Sequence, residues 1–190
     1  MKILGIDPGY ATVGYGIVET DGFRFSVLGY GAVTTEPDLS FPQRLKLIYD
    51  DIITLIEKYN PEELSIERLY FNTNTTTAID VAQARGVIVM AAYSRGLNVN
   101  EYTPLQVKQA VTGYGKAEKR QVMEMVKNLL SLKSVPKPDD TADALALAIC
   151  HGHYAGSRVS KILRKDGQHY ENIYPWQIFP PHDGRLSPAL

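Results

Sequence analysis

Lys2-Ile3-Leu4-Gly5-Ile6-Asp7-Pro8-Gly9 is the stretch whose reading decides the fold. A short apolar run of this kind is the signature of a strand buried on both faces, and Pro-Gly turn chemistry ends it at once. Asp7 stands at that junction, where a carboxylate is costly to bury unless something pairs with it. The same pattern returns at Leu64-Ser65-Ile66-Glu67, a second short apolar stretch that follows Asn60-Pro61 and ends on an acid. A third acidic cluster, Asp139-Asp140-Thr141-Ala142-Asp143, opens a helix-like apolar segment. Two strand-end acids and an acidic helix start suit a hard cation, because Mg²⁺ prefers carboxylate oxygens and keeps several waters.

Outward from these points, the elements are predicted in order. Residues 2–7 read as a strand, and 12–20 and 23–35 as two more joined by the hairpin signal Asp21-Gly22. Ser40, with Gln43 three residues on, caps a helix whose stripe of Leu45, Ile48, Tyr49, Ile52, Leu55, Ile56 and Tyr59 has helical spacing. A strand over 63–67 follows, then the polar run Asn72 to Thr77, a helix over about 76–95 and a last strand at 98–102. Thr103-Pro104-Leu105-Gln106 starts a short helix, with Pro at its first position. A basic helix is expected over about 117–131 and a final one over about 140–153, after the linker Ser134 to Pro138. Hairpin strands followed by alternating strands and helices describe an α/β fold, a mixed sheet with helices on its faces. Ligands gather at the carboxyl ends of such strands, where Asp7 and Glu67 lie.

Composition narrows the function classes. The chain has 190 residues, 44% of them apolar and 22% charged, as in an ordinary globular domain. One cysteine, Cys150, cannot form an internal disulfide, and no stretch reads as a signal peptide or membrane span, so a cytoplasmic protein is expected. The net charge of −1 hides a split. Residues 1–67 carry five basic and eleven acidic side chains, whereas residues 104–133 carry six basic and two acidic ones. A local basic segment in a neutral chain points to a polyanionic partner.

On a helix, Asp140 and Asp143 share one face, and Asp139 is well placed as the N-cap. Acids at a helix start are commonly caps, which the helix dipole tolerates. Asp7 and Glu67 argue for more, since four acids from three elements share no structural reason to converge. Held together they repel and raise their own pKa values unless cations neutralise them. Two divalent ions ~4 Å apart can clamp the attacking and leaving oxygens of an in-line phosphoryl displacement. His151 and His153 are poor ligand candidates, because His151 lies ~12 Å along the helix from Asp143 at ~1.5 Å per residue. Cys150 is expected to be a small buried residue, and Gly86 to allow close packing.

Taken together, Gly5-Ile6-Asp7-Pro8-Gly9, Gly14-Tyr15-Gly16, Arg44-Leu45-Lys46-Leu47-Ile48, Ile66-Glu67, Gln83-Ala84-Arg85-Gly86, Gln106-Val107-Lys108-Gln109, Gly115 to Lys119 and Asp140 to Ala146 form an ordered set. Over residues 1–153 this set resembles the RuvC-type Holliday-junction resolvases, which have the ribonuclease H-like fold. The resemblance implies a homodimeric endonuclease that nicks four-way DNA junctions symmetrically in recombination and repair. It implies Mg²⁺ as cofactor, two ions per active site with Mn²⁺ able to substitute. Asp7, Glu67, Asp140 and Asp143 match the family's catalytic, metal-binding acids. Tyr70 falls on its aromatic wedge, with Phe71 beside it, where stacking on an unpaired base is worth ~1–3 kcal/mol. Lys108 and Lys119 match basic positions near the scissile strand, and Lys116 and Arg120 are further candidates for DNA binding. The RuvA–RuvB branch-migration complex is the implied protein partner. Asp139 leaves the register of the third acid open, because it also shares a face with Asp143. The quoted motifs have no counterpart in residues 154–190, which are expected to form a mobile C-terminal extension.

Competing readings differ in what they require. Asp7-Pro8-Gly9-Tyr10-Ala11-Thr12 is also similar to the first phosphate loop of actin-like ATPases and sugar kinases, but those need a second lobe. An RNA-processing nuclease of the same superfamily would use the same acids. A non-catalytic DNA-binding dimer would not need all four. The apolar helix over 76–95, with Ile79, Val81, Ala82, Val87, Ile88, Val89 and Met90, is the candidate dimer interface.

Overall fold

In the computed structural model, residues 1–21, 24–69 and 75–156 are described, with 75–77 placed as backbone only. Five strands form one mixed sheet: β1 (Lys2–Asp7), β2 (Thr12–Thr20), β3 (Phe25–Thr34), β4 (Glu63–Glu67) and β5 (Asn98–Tyr102). Their order is β3-β2-β1-β4-β5. β1 runs antiparallel to β2 and parallel to β4, so the opening hairpins and the later crossovers meet at the central strand. The expected turn at Asp21-Gly22 falls partly outside the described residues, because Gly22 and Phe23 are not among them.

Helices α1 (Phe41–Tyr59), α2 (Thr75–Ser94), α3 (Pro104–Thr112), α4 (Lys119–Leu129) and α5 (Asp139–Gly156) complete the fold. The caps explain most boundaries. The amide N–H of Ser40 donates to Gln43 Oε1, and that of Thr103 donates to Gln106 Oε1. α4 begins two residues later than expected, since Ala117 closes a turn by donating to the Tyr114 carbonyl and Glu118 takes the cap position. Asp139 is not an N-cap, as expected from sequence, but the first residue of α5, and its carboxylate accepts from Lys137 Nζ at 2.8 Å. α5 also runs three residues past its expected end.

The two faces of the sheet are packed differently. Leu4, Ile6, Val13, Ile17, Leu64 and Ile66 join Ile48 and Ile52 of α1 and Ile88 of α2 in a core of large aliphatic side chains. On the other face Ile3 and Val18 pack against α4 and α5, but Gly5, Gly14, Gly16 and Ser65 are small, and there α5 lies almost on the backbone. A Cβ on Gly5 would come within 2.1 Å of the Ala144 carbonyl oxygen, and one on Gly14 within 2.0 Å of the Asp140 carbonyl oxygen. Buried Ser65 donates to the Leu147 carbonyl at 2.7 Å, and Thr141 donates to the Gly31 carbonyl at 3.1 Å. α5 is therefore held to the sheet along its length.

Candidate active site

β1 and β4 pair with Ile6 opposite Ile66, which brings the following residues, Asp7 and Glu67, to the same end of adjacent strands. Asp7 in turn pairs with Gly14, over which the Asp140 backbone sits. The start of α5 thus comes down beside the two strand-end acids, and four carboxylates share one corner of the molecule.

Their electrostatics confirm the proximity. The Asp7 carboxyl is pushed up to about 7, first by burial, then by the charges of Asp143, Glu67 and Asp140, while Lys119 opposes the shift. Glu67 is also raised, by burial and by Asp143. Asp139 contributes nothing to either shift. Its own carboxyl is held below the usual range by Lys137, and then by Lys119.

Lys119, the first residue of α4, sits among these acids. Its Nζ lies 2.9 Å from Asp143 Oδ2 and 3.7 Å from Asp139 Oδ2. The sequence reading gave Lys119 to the DNA backbone, whereas here it is first a counter-charge of the carboxylates. Lys116 and Arg120 are exposed nearby in sequence and Lys108 is half-buried, while Tyr70 and Phe71 lie outside the described residues.

Among the described residues, no three His, Cys, Asp or Glu side chains close tightly enough to grip an ion as they stand. The donor set still fits a hard divalent cation, because it is all carboxylate oxygen and its members repel one another. The Lys119 ammonium stands in for part of the missing positive charge.

Other expectations resolve against the site. His151 is buried within α5, with its Nδ1 2.8 Å from the Tyr102 hydroxyl. Cys150 is buried, and burial pushes its thiol up to about 12. Among the described residues Gly86 does not serve close packing, since an added Cβ there would meet none of them within 4 Å. Sequence reasoning passed over one residue near the site. Arg85, quoted only as part of a family-like motif, donates from Nε to the Glu67 carbonyl at 3.1 Å.

Comparison with known proteins settles the family. The family model for "Crossover junction endodeoxyribonuclease RuvC" matches residues 3–151. This chain belongs to the RuvC family. A RuvC from Clostridioides difficile is 54% identical over 170 residues, covering 90% of this chain and 99% of that protein. One from Alkaliphilus oremlandii is 57% identical over 153 residues, covering 80% and 93%. The structure of Thermus thermophilus RuvC in complex with Holliday junction substrate aligns with a TM-score of 0.75 at 33% identity, covering 82% of this chain and 95% of that one. Membership makes the chain a nuclease, and its five-stranded mixed sheet is the ribonuclease H-like fold of the RuvC structures. No described helix is long and apolar enough to cross a membrane.

Proposed function

We propose that this chain resolves four-way DNA junctions as a metal-dependent, homodimeric endonuclease. Its close relatives carry that activity in their names, and a RuvC structure holds a Holliday junction. The observation that carries the catalytic reading is the register that sets Asp7 beside Glu67, with the start of α5 over Gly14; burial and the neighbouring acids raise the Asp7 carboxyl to about 7. Such a site has more negative charge than the chain neutralises.

Asp7, Glu67, Asp140 and Asp143 would hold Mg²⁺, two ions per site with Mn²⁺ able to substitute. Bound there, the metal supplies an activated water and charge stabilisation for phosphodiester hydrolysis. The chain's own residues do the rest. Lys119 orients Asp143 and is free to turn toward a phosphate, while Lys108 and Lys116 bind the backbone as point charges and Arg120 through its guanidinium fork. Tyr70 and Phe71 would stack on bases at an opened junction centre. Residues 1–153 form the nuclease domain and 154–190 an extension. The RuvA–RuvB complex would deliver the junction, in the cytoplasm.

Two symmetric nicks call for two sites related by the two-fold symmetry of the junction. α2 supports a partner on its outer face. Ala84, Ile88, Ala91 and Ala92 enter the core, yet Ile79, Met90 and Tyr93 are 57%, 61% and 60% exposed. With Gln83 and Gly86 they fall at steps of four, three, four and three, the seam spacing of paired helices. Gly86, open in the single chain, would let a second helix approach closely. Sedimentation should show a dimer at micromolar concentration that Met90→Glu dissociates. A wild-type monomer that still cuts junctions in symmetric pairs would refute the arrangement.

Cleavage of a labelled junction beside linear duplex and an RNA–DNA hybrid tests the substrate. Asp7→Asn, Glu67→Gln, Asp140→Asn and Asp143→Asn should each lower junction cleavage by about 10³-fold or more. Junction binding should persist, since it rests on phosphate contacts. Double variants should be little worse than singles, as residues acting as one unit are non-additive. An inactive Asp139→Asn beside an active Asp140→Asn would move the third ligand by one residue. Preferential cutting of the hybrid would favour an RNA-processing nuclease.

A further inference from the structure

We propose that Arg85 is a positioning residue, which fixes the main chain of Glu67 and thereby the place of its carboxylate. The inference rests on the nuclease reading above and adds a residue to it. Glu67 is the last residue of β4, where the sheet ceases to hold the backbone by regular pairing on both sides. Arg85 reaches that point from α2. Its Nε donates to the Glu67 carbonyl at 3.1 Å, and its Nη2 forms an ion pair with Glu101 Oε1. Glu101 belongs to β5 and pairs with Ile66, the residue before Glu67. One guanidinium thus joins α2 to the ends of two adjacent strands.

The chemistry requires arginine. A guanidinium is a rigid planar fork whose N–H groups point at separate acceptors, whereas a lysine ammonium is a point charge on a flexible stem. Arg85 and Glu101 are only 17% and 19% exposed, so the pair is shielded from water and from salt. Arg85 does not figure among the charges that shift Glu67. Its contact with Glu67 is made to the main-chain carbonyl, so it acts on the carboxylate through the backbone. Partners that orient metal ligands in this way typically change metal affinity about 10–100-fold when removed. Arg85 also lies one residue before Gly86, on the helix whose outer face carries the proposed dimer seam. The contact that steadies Glu67 is part of the same helix turn.

The full-length wild-type protein, Arg85→Lys, Arg85→Gln and Glu101→Gln would be compared by four measurements. These are Mn²⁺ affinity by electron paramagnetic resonance titration, the Mg²⁺ midpoint of junction cleavage, junction binding in EDTA, and the melting temperature. Arg85→Lys keeps a positive charge for Glu101 and should melt close to wild type. It should nonetheless weaken Mn²⁺ binding and raise the Mg²⁺ midpoint by about 10-fold, with junction binding unchanged. Glu101→Gln, which leaves an acceptor for the guanidinium, should shift both by less. Arg85→Lys with wild-type metal affinity and midpoint would overturn the proposal. So would loss of melting temperature and activity together in both Arg85 variants at unchanged Mn²⁺ affinity, which describes a merely structural pair. A wild-type protein that neither bound Mn²⁺ nor cut junctions would instead overturn the nuclease reading on which the proposal stands.

Discussion

The two faces of the central sheet solve opposite problems. Toward α1 and α2, β1, β2 and β4 present Leu4, Ile6, Val13, Ile17, Leu64 and Ile66, and large side chains on both layers keep the helices at an ordinary distance. Toward α5 the alternate positions are Gly5, Asp7, Gly14, Gly16, Ser65 and Glu67. Gly5 meets Ala144 and Ala148, Gly16 meets Leu145, and Gly14 meets the backbone of Asp140. Both faces bury apolar side chains, the second through Ile3 and Val18 packed with Leu145 and Ile149 of α5 and Val122 and Val126 of α4. The second gives up side-chain volume so that a helix carrying two acids can lie against strands that end in two more. Both faces thus contribute to stability, while the carboxylates gather only on the second, where small residues let α5 approach the strand ends.

The sharpest way to break this division is to fill the close face. Gly14→Ala places a methyl within 2.0 Å of the Asp140 carbonyl oxygen on a fixed backbone, so α5 must lift at the site itself. Overpacking of this kind costs ~1–3 kcal/mol and more where backbone blocks the way. Junction cleavage should fall by about 100-fold or more, beyond what the stability loss explains at a temperature where the variant is folded. Near-normal cleavage by a folded Gly14→Ala protein would show that α5 is not placed by this approach.

A second test uses the charge that the close face gathers. Asp7 has a folded pKa of about 7 against an ordinary value of 3.8, so the folded state binds this proton more tightly than the unfolded chain. Stability of the metal-free protein should therefore fall as pH rises from about 4 to about 7, with the loss complete above that. Asp7→Asn removes the charge. Without metal at pH 8 it should be more stable than wild type, by at most on the order of 4 kcal/mol. The gap should close below about pH 4 and shrink when Mg²⁺ is added. A wild-type protein more stable than Asp7→Asn at pH 8 without metal would show that the acids are not in conflict.

The smallest effect is expected on the other face. Ile52→Val removes one buried methylene from the aliphatic core and should cost ~0.5–1.5 kcal/mol in denaturant unfolding. Cleavage below the melting transition should be unchanged. A cleavage defect as large as that of Gly14→Ala would erase the distinction between the faces.

Much of this was legible in the chain. The strands over 63–67 and 98–102 fall where the sequence reading places them, and both capping boxes mark true helix starts. α5 was harder to orient. Every residue from Thr141 to Gly152 except Asp143 is buried, so no polar stripe shows which side faces the sheet. Small residues make that burial possible, yet alanine and glycine give a weak periodic signal. The register between Asp139 and Asp140 was open because both share a helix face with Asp143. Asp140, and not Asp139, is the one whose charge acts on Asp7.

By itself, the sequence determined the strands, the helix starts and the presence of acids at two strand ends and one helix start. These follow from local chemistry, because turns, caps and hydrophobic periods act over a few residues. Only the tertiary structure decided which groups meet. It put Lys119 on Asp143 rather than leaving it simply on the basic surface, took Asp139 away to Lys137, and set Arg85 on the Glu67 carbonyl. Each of these contacts joins residues from different turns of the fold, and their partners are chosen by packing distance. That distance is fixed where glycines let α5 touch the sheet.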